Sequence, residues 1–276
     1  MNNIICIYHG NCADGFGSAW VVREFYGHDG VDYHAGVYGE CAPDCKGKHV
    51  IMVDFSYKRD VLLAIAEEAE SVLIIDHHKS AQAELVDLPD NVECHFDMEH
   101  SGVVLTWNYY FPSVPVPKLL SHIEDRDLWK FEIEGTKEIQ AAVFSYPYEF
   151  HVWDELVYNT SLEDLYKEGK AIDRKHMKDI NEFIKLASFR TTLAGYDVPI
   201  LNVPYFYGSE AGHIMGKGEP FAVTYYDKDE VRVFGLRSDE GGVDVSKIAQ
   251  KFGGGGHKHA AGFSVPFDKM IGDYLK

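Results

Sequence analysis

Residues 72–80 read VLIIDHHKS: four apolar residues, three of them β-branched, run straight into Asp76, His77, His78 and Lys79. An apolar run of this length reads as a strand buried on both faces, the kind found in parallel sheets. It stops at a carboxylate and two imidazoles, which is what one wall of a metal site requires, although a polar loop would also account for the pair alone. Segments upstream repeat the design. NIICIYH (3–9) is strand-like and ends at His9, and the following turn carries Asp14. HVIMVD (49–54) is strand-like and ends at Asp54. Helical spacing separates these runs in GFGSAWVVREFYG (15–27) and YKRDVLLAIAEEAE (57–70), and NVECHF (91–96) reads as a further strand. Strands alternating with helices predict an α/β domain with a largely parallel sheet.

SGVVLTWNYYF (101–111) and VPKLLSHIED (116–125) read as helices, and 131–160 as aromatic and irregular. A polar, breaker-poor stretch then predicts a helical connector over 161–189. Beyond it, short strands between Gly, Asp and Pro signals predict a smaller α+β domain over 190–276, with the first domain over 1–160.

In an open parallel sheet, ligands bind beyond the carboxyl ends of the strands. Three strand exits that bring Asp and His together therefore predict a metal site. Carboxylates and imidazoles without a Cys cluster suit Mn²⁺, Mg²⁺ or Fe²⁺ better than structural zinc, and shared carboxylates suit a pair of ions. In the second domain, KFGGGGHKHAAGF (251–263) places four glycines before His257. Such a run can present backbone N–H groups to an anion, and the next element, if a helix, would add its N-terminal end. Arg237 and Ser238 end a strand just upstream, and Arg suits bidentate phosphate contact.

The bulk numbers narrow the function. The chain has 276 residues, is 46% hydrophobic and 25% charged, and carries a formal net charge of −18. Such a chain repels long phosphate backbones unless metal ions or local positive charge intervene. No run is long enough to span a bilayer, and the first residues lack the pattern of a signal peptide. Five Cys without paired finger spacing predict reduced thiols and a cytoplasmic location.

Taken together, YHGNCADGFGSA, VDFS, IDHHKS, HIEDRDLW and GLRS…GGGGHKHAAGF resemble the DHH phosphoesterase superfamily, which includes RecJ-like nucleases and oligoribonucleases. The match covers nearly the whole chain in order. The resemblance implies a DHH metal-binding catalytic domain, a DHH-associated substrate domain and metal-dependent phosphodiester hydrolysis by activated water. It implies Asp14, Asp54, His77 and Asp125 as metal ligands, with Asp54 bridging and His9 serving a second ion; Asp127 is a near alternative to Asp125. His78 would contact the phosphate and Asp76 would orient its neighbours. Arg237, Ser238, Gly254, Gly255, Gly256 and His257 would hold the nucleotide. The cofactor would be Mn²⁺, with one firm site and a second left open, and with Mg²⁺ or another divalent ion as a substitute.

The expected partner is a dinucleotide or short single-stranded RNA or DNA; no membrane is involved, and a homodimer is left open. Alternatives are hydrolysis of a linear product of a cyclic dinucleotide, hydrolysis of a 3′-phosphoadenosine nucleotide, or nucleotide sensing without catalysis; a polyphosphatase ranks lower. One departure stands out. The family's first motif carries two Asp separated by one residue, and here the earlier position is Cys12, a thiolate ligand on one reading and a small buried neighbour on the other.

Overall fold

The computed structural model describes residues 3–266 and divides the chain into two compact units, 1–173 and 174–276. The last stretch of the expected C-terminal domain, 267–276, lies outside the described residues.

The first unit contains β1 (Ile4–His9), α1 (Ala13–Tyr26), β2 (Asp32–Gly36), β3 (His49–Val53), α2 (Arg59–Glu68), β4 (Ser71–Asp76), α3 (Lys79–Glu84) and β5 (Val92–Phe96). These are followed by α4 (Gly102–Tyr110), α5 (Lys118–Asp127), α6 (Thr136–Val143) and α7 (Phe150–Asp154), the last continuing into a single π-turn, Glu155–Asn159. Among the described residues, its strands form one parallel sheet in the order β2-β1-β3-β4-β5. The chain leaves β1 toward one edge and returns on its other side, so a topological switch point lies between β1 and β3.

The central strands are apolar on both faces because both are covered. Ile5, Ile7, Val50, Met52, Val72 and Ile74 pack with Leu62 and Ile65 of α2. The alternate residues Cys6, Ile51, Val53 and Ile75 pack with α1, α4 and α5 through Trp20, Val103 and Leu120. Register aligns the strand exits: Tyr8 pairs with Val53 and Val53 with Ile75. β2 (DYHAG) is a short polar edge strand with no apolar run to mark it. The 131–160 stretch, expected to be irregular, is largely helical. Its aromatic side chains serve as packing, with Tyr148, Phe150 and Trp153 against Phe16.

A long helix, α8 (Leu162–Ala187), contributes Leu165 to the core of the first unit; Met177, Ile180 and Ile184 belong to the core of the second. The second unit continues with β6 (Phe189–Leu193), β7 (Tyr196–Asn202), α9 (Tyr205–Gly216), β8 (Ala222–Lys228), β9 (Val231–Arg237), α10 (Val245–Lys251), β10 (Gly255–Gly256) and β11 (Ala260–Pro266). Its mixed sheet runs β10-β11-β9-β8-β7-β6, with only β7 and β8 parallel across the α9 crossover. The chain is thus α/β, with a largely parallel N-terminal sheet and a separate mixed sheet after the long helix. No helix of the described residues is long and apolar enough to cross a membrane.

Candidate metal centre

The site forms at the carboxyl edge of the first sheet. β1 delivers His9, the residue after β3 is Asp54, and β4 ends at Asp76 with His77 and His78 following. Cys12 precedes α1 in extended conformation, and Asp14 lies in the first turn of that helix. Several donor groups result, and two of them flank Asp54. Asp14, His77 and Asp127 offer atoms within 4.8 Å of one another, as do His9, Cys12 and Asp54. Asp54 faces both: one carboxylate oxygen lies 3.1 Å from His77 Nε2 and the other 3.4 Å from His9 Nδ1. The Asp54 carboxylate thus lies between two sets of donor atoms.

Local structure fixes each side chain. Asp54 leaves β3 with φ 53, in the left-handed region that Asp tolerates better than most residues. The Asp14 carboxylate accepts the backbone N–H of Gly102 (2.6 Å) and of Val103 (3.0 Å) at the start of α4, where the helix end favours negative charge. Asp76 accepts the Ser56 hydroxyl (2.8 Å), the N–H of His77 (2.8 Å) and the N–H of His78 (3.2 Å), and lies 2.6 Å from His78 Nδ1. A proton on that Nδ1 leaves His78 Nε2 as the nitrogen directed elsewhere. Asp76 therefore orients its neighbours.

Asp125 does not join either group. Its carboxylate accepts the N–H of Glu132 (2.8 Å) and of Ile133 (3.1 Å) and the Thr136 hydroxyl (2.6 Å). The aspartate beside His77 is Asp127, at 3.5 Å. The structure thus brings Asp127 rather than Asp125 beside His77. Two residues along a helix turn through roughly 200°, so the end of α5 can aim only one of the pair at the strand ends.

Electrostatics mark the cluster as short of positive charge. Burial pushes the Asp14 carboxyl well above the ordinary range, and Asp54 and Asp127 push it further. Burial likewise raises Asp127. Burial would raise Asp54 too, but His77 and His9 outweigh it and hold that carboxylate ionised. The two imidazoles are drawn well above their usual range, because neighbouring carboxylates overcome the desolvation that would lower them. Neither oxygen of Asp54, which is 1% exposed, receives a well-aligned hydrogen bond. A buried carboxylate without aligned donors is costly unless a cation compensates it, and the Asp and His donors present fit a divalent ion.

Sequence reading missed Gly102 and Gln140. Gln140 is buried, neither of its amide atoms has a hydrogen-bond partner, and it lines a small pocket with Cys12, Asp14, Arg126 and Asp127. Nothing in its local sequence singles it out.

In the second unit, Arg237 ends β9 and donates to the Leu236 carbonyl (2.9 Å) and the Ser209 hydroxyl (3.3 Å from Nη2). Ser238 is buried and donates to the Val243 carbonyl (2.8 Å), with His259 Nδ1 at 3.0 Å, which ties its hydroxyl into the fold. The glycine run lies between α10 and β10. It opens no helix; it follows α10 and turns into β10, pairing Gly255 with Gly262 and Gly256 with Ala261. A side chain on Gly254 would meet the Gly262 carbonyl at 2.0 Å, so close strand approach accounts for part of the run. His257 follows, its N–H bonded to the Ala260 carbonyl (2.8 Å).

Comparison with known proteins places this geometry in a family. The DHHA1 domain model matches residues 211–276. Uncharacterized protein R106 of Acanthamoeba polyphaga mimivirus is 34% identical over 303 residues, spanning 96% of this chain and 70% of that protein. The chain belongs to the DHH phosphoesterase superfamily. Among solved structures of the same fold, the pGpG-specific phosphodiesterase PggH of Vibrio cholerae aligns with a TM-score of 0.50 at 13% identity, over 97% of this chain and 94% of that one. RecJ of Thermus thermophilus, solved with Mn²⁺, aligns with a TM-score of 0.50 at 14% identity, over 96% of this chain and 50% of that one. The superfamily's IDHH signature is here the β4 exit, Ile75 to His78.

Proposed function

We propose that this DHH chain is a metal-dependent phosphodiesterase that cleaves dinucleotides and short oligonucleotides to mononucleotides. The observation that carries the reading is Asp54, held ionised and buried between His77 and His9, with a donor group on either side. Asp14, Asp54, His77 and Asp127 would hold one divalent cation, and Asp54 with His9 and Cys12 a second. A cation held there would polarise a water and screen the phosphoryl oxygens. His78, with its Nδ1 beside Asp76, would contact the phosphate through Nε2. Arg237, His257 and the backbone around Gly255 and Gly256 remain our candidates for the nucleotide in the DHHA1 unit.

Two observations favour short substrates. The chain carries a net charge of −18, which opposes a long polyanion. The PggH likeness joins the fold to an enzyme named for a linear dinucleotide, so pGpG belongs on the substrate panel.

The test is hydrolysis of a 5′-phosphorylated RNA dinucleotide, of pGpG and of a long RNA strand, each with Mn²⁺ and with chelator. Metal-dependent turnover of the dinucleotides with the long strand slow is expected. Preference for the long strand would place the chain among RecJ-like exonucleases, and metal binding without turnover would make it a sensor. Asp54→Asn keeps a residue that tolerates the left-handed backbone while removing the charge. It should abolish turnover and leave the thermal midpoint unchanged or higher, as removing strained functional charge commonly does.

A further inference from the structure

The His9, Cys12 and Asp54 group contains a donor type that the rest of the cluster lacks. The Cys12 sulfur, an imidazole nitrogen of His9 and an oxygen of Asp54 lie within 4.8 Å of one another. Facing them, Asp54 is almost wholly buried and its carboxylate oxygens have no aligned donors. The five cysteines are free thiols; Cys6 and Cys45 are buried in hydrophobic clusters, and only Cys12 falls within a metal-ligand group of the described residues.

We propose that the His9–Cys12–Asp54 position binds its cation through the Cys12 thiolate, and so selects a borderline metal such as Zn²⁺, Co²⁺ or Fe²⁺ over Mn²⁺ and Mg²⁺. This rests on reading the cluster as a metal centre. Thiolate sulfur is a soft donor that adds little to Mn²⁺ or Mg²⁺ affinity and much to that of later first-row ions. The other group, Asp14, His77 and Asp127, offers only oxygen and nitrogen and retains the preference for harder ions. The two positions then differ in the metal they favour. On binding, the thiol proton leaves to solvent and the sulfur lone pair becomes the donor.

The full chain is titrated with Co²⁺ while visible and near-ultraviolet absorption are recorded. The expected result is a sulfur-to-cobalt charge-transfer band together with visible d–d bands. In Cys12→Ser, checked for folding by circular dichroism, the charge-transfer band should vanish while d–d absorption from the remaining ligands persists. Visible bands without charge transfer in the wild type would overturn thiolate ligation and leave the metal centre standing. A charge-transfer band that survives in Cys12→Ser would overturn it equally, by assigning the band to another thiol. Absence of any Co²⁺, Zn²⁺ or Mn²⁺ binding would overturn this inference and the proposed function together. Cys12→Asp is expected to shift the ratio of Mn²⁺ to Zn²⁺ affinity toward Mn²⁺ by about 10–100-fold, a range typical of altered metal surroundings. An unchanged ratio counts against the proposal.

Discussion

A single hydrogen atom at Gly102 keeps two carboxylates in place. A β-carbon there would lie 2.4 Å from Asp54 Cβ, 2.8 Å from Asp54 Cγ and 2.9 Å from Asp14 Oδ2. The neighbours cannot yield easily: Asp54 is fixed by its left-handed backbone, and Asp14 is held by the N–H groups of Gly102 and Val103 themselves. Gly102→Ala is therefore expected to displace Asp54 and to twist the start of α4. Overpacking of this kind costs about 1–3 kcal/mol. Misplaced ligand support costs about 10–100-fold in metal affinity. Calorimetric titration with Mn²⁺, beside thermal unfolding of the metal-free chain, reads both effects. Wild-type affinity in the variant would show that the contact is relieved without moving the cluster. Residue-scale reading of the sequence reached His9, Asp14, Asp54 and His77 because each sits at a strand exit or the following turn, where position along the chain predicts position in space. It could not reach Gly102, whose close neighbours Asp54 and Asp14 are 48 and 88 residues away, or Gln140, whose pocket joins residues of α5 to Cys12 and Asp14, or separate Asp125 from Asp127, which needs the phase of α5.

At the scale of elements, the parallel strands were legible because burial on both faces leaves an uninterrupted apolar run. The helices of 131–160 were not, because their aromatic residues face a core supplied by α1 and give no clean period. What anchors that region is a charged tie. Asp154 ends α7 and receives Arg23 Nη1 (2.8 Å), Arg23 Nη2 (3.1 Å) and Trp20 Nε1 (2.9 Å), all from α1. Arg23 also lies over the Phe150 ring, 5.1 Å from its centroid. Burial would raise the Asp154 carboxyl, but the Arg23 and Trp20 hydrogen bonds outweigh it and hold it below the usual range. A carboxyl lowered in the folded state contributes stability that is complete above its unfolded pKa, about 3.9. That contribution disappears as pH falls through the lower folded value. Asp154→Asn should cost about 1–2 kcal/mol near pH 7, the lower part of the range for charged hydrogen bonds because the side chain is partly exposed. The gap between wild type and variant should close as denaturation midpoints are followed down past about pH 3. A gap independent of pH would mean that Arg23 gains nothing from the charge on Asp154.

For the whole molecule the governing quantity is charge. Lys and Arg number 26 against 44 Asp and Glu, giving −18. Several basic residues are already committed to acidic partners: Arg23 to Asp154, Arg190 to Asp197 and Glu219, Arg232 to Asp227, and Lys175 to Asp179. They contribute little to a track for a phosphate backbone. A protein that makes six to ten phosphate contacts loses about 10³–10⁵ in affinity between about 50 and 200 mM salt, as condensed counterions cease to be released. This chain should behave differently. Added salt screens repulsion between an acidic surface and an anionic substrate, and attraction confined to a metal-loaded pocket changes little over so short a range. Measured as KM for a dinucleotide at fixed metal across that interval, the change is expected to stay within about tenfold, with no steep loss of affinity. A steep, linear fall of log affinity with log salt would reveal a basic groove and restore long strands as substrates. A flat or rising affinity would fit an enzyme whose positive charge arrives with its cations, and would explain how an acidic chain can work on phosphodiesters at all.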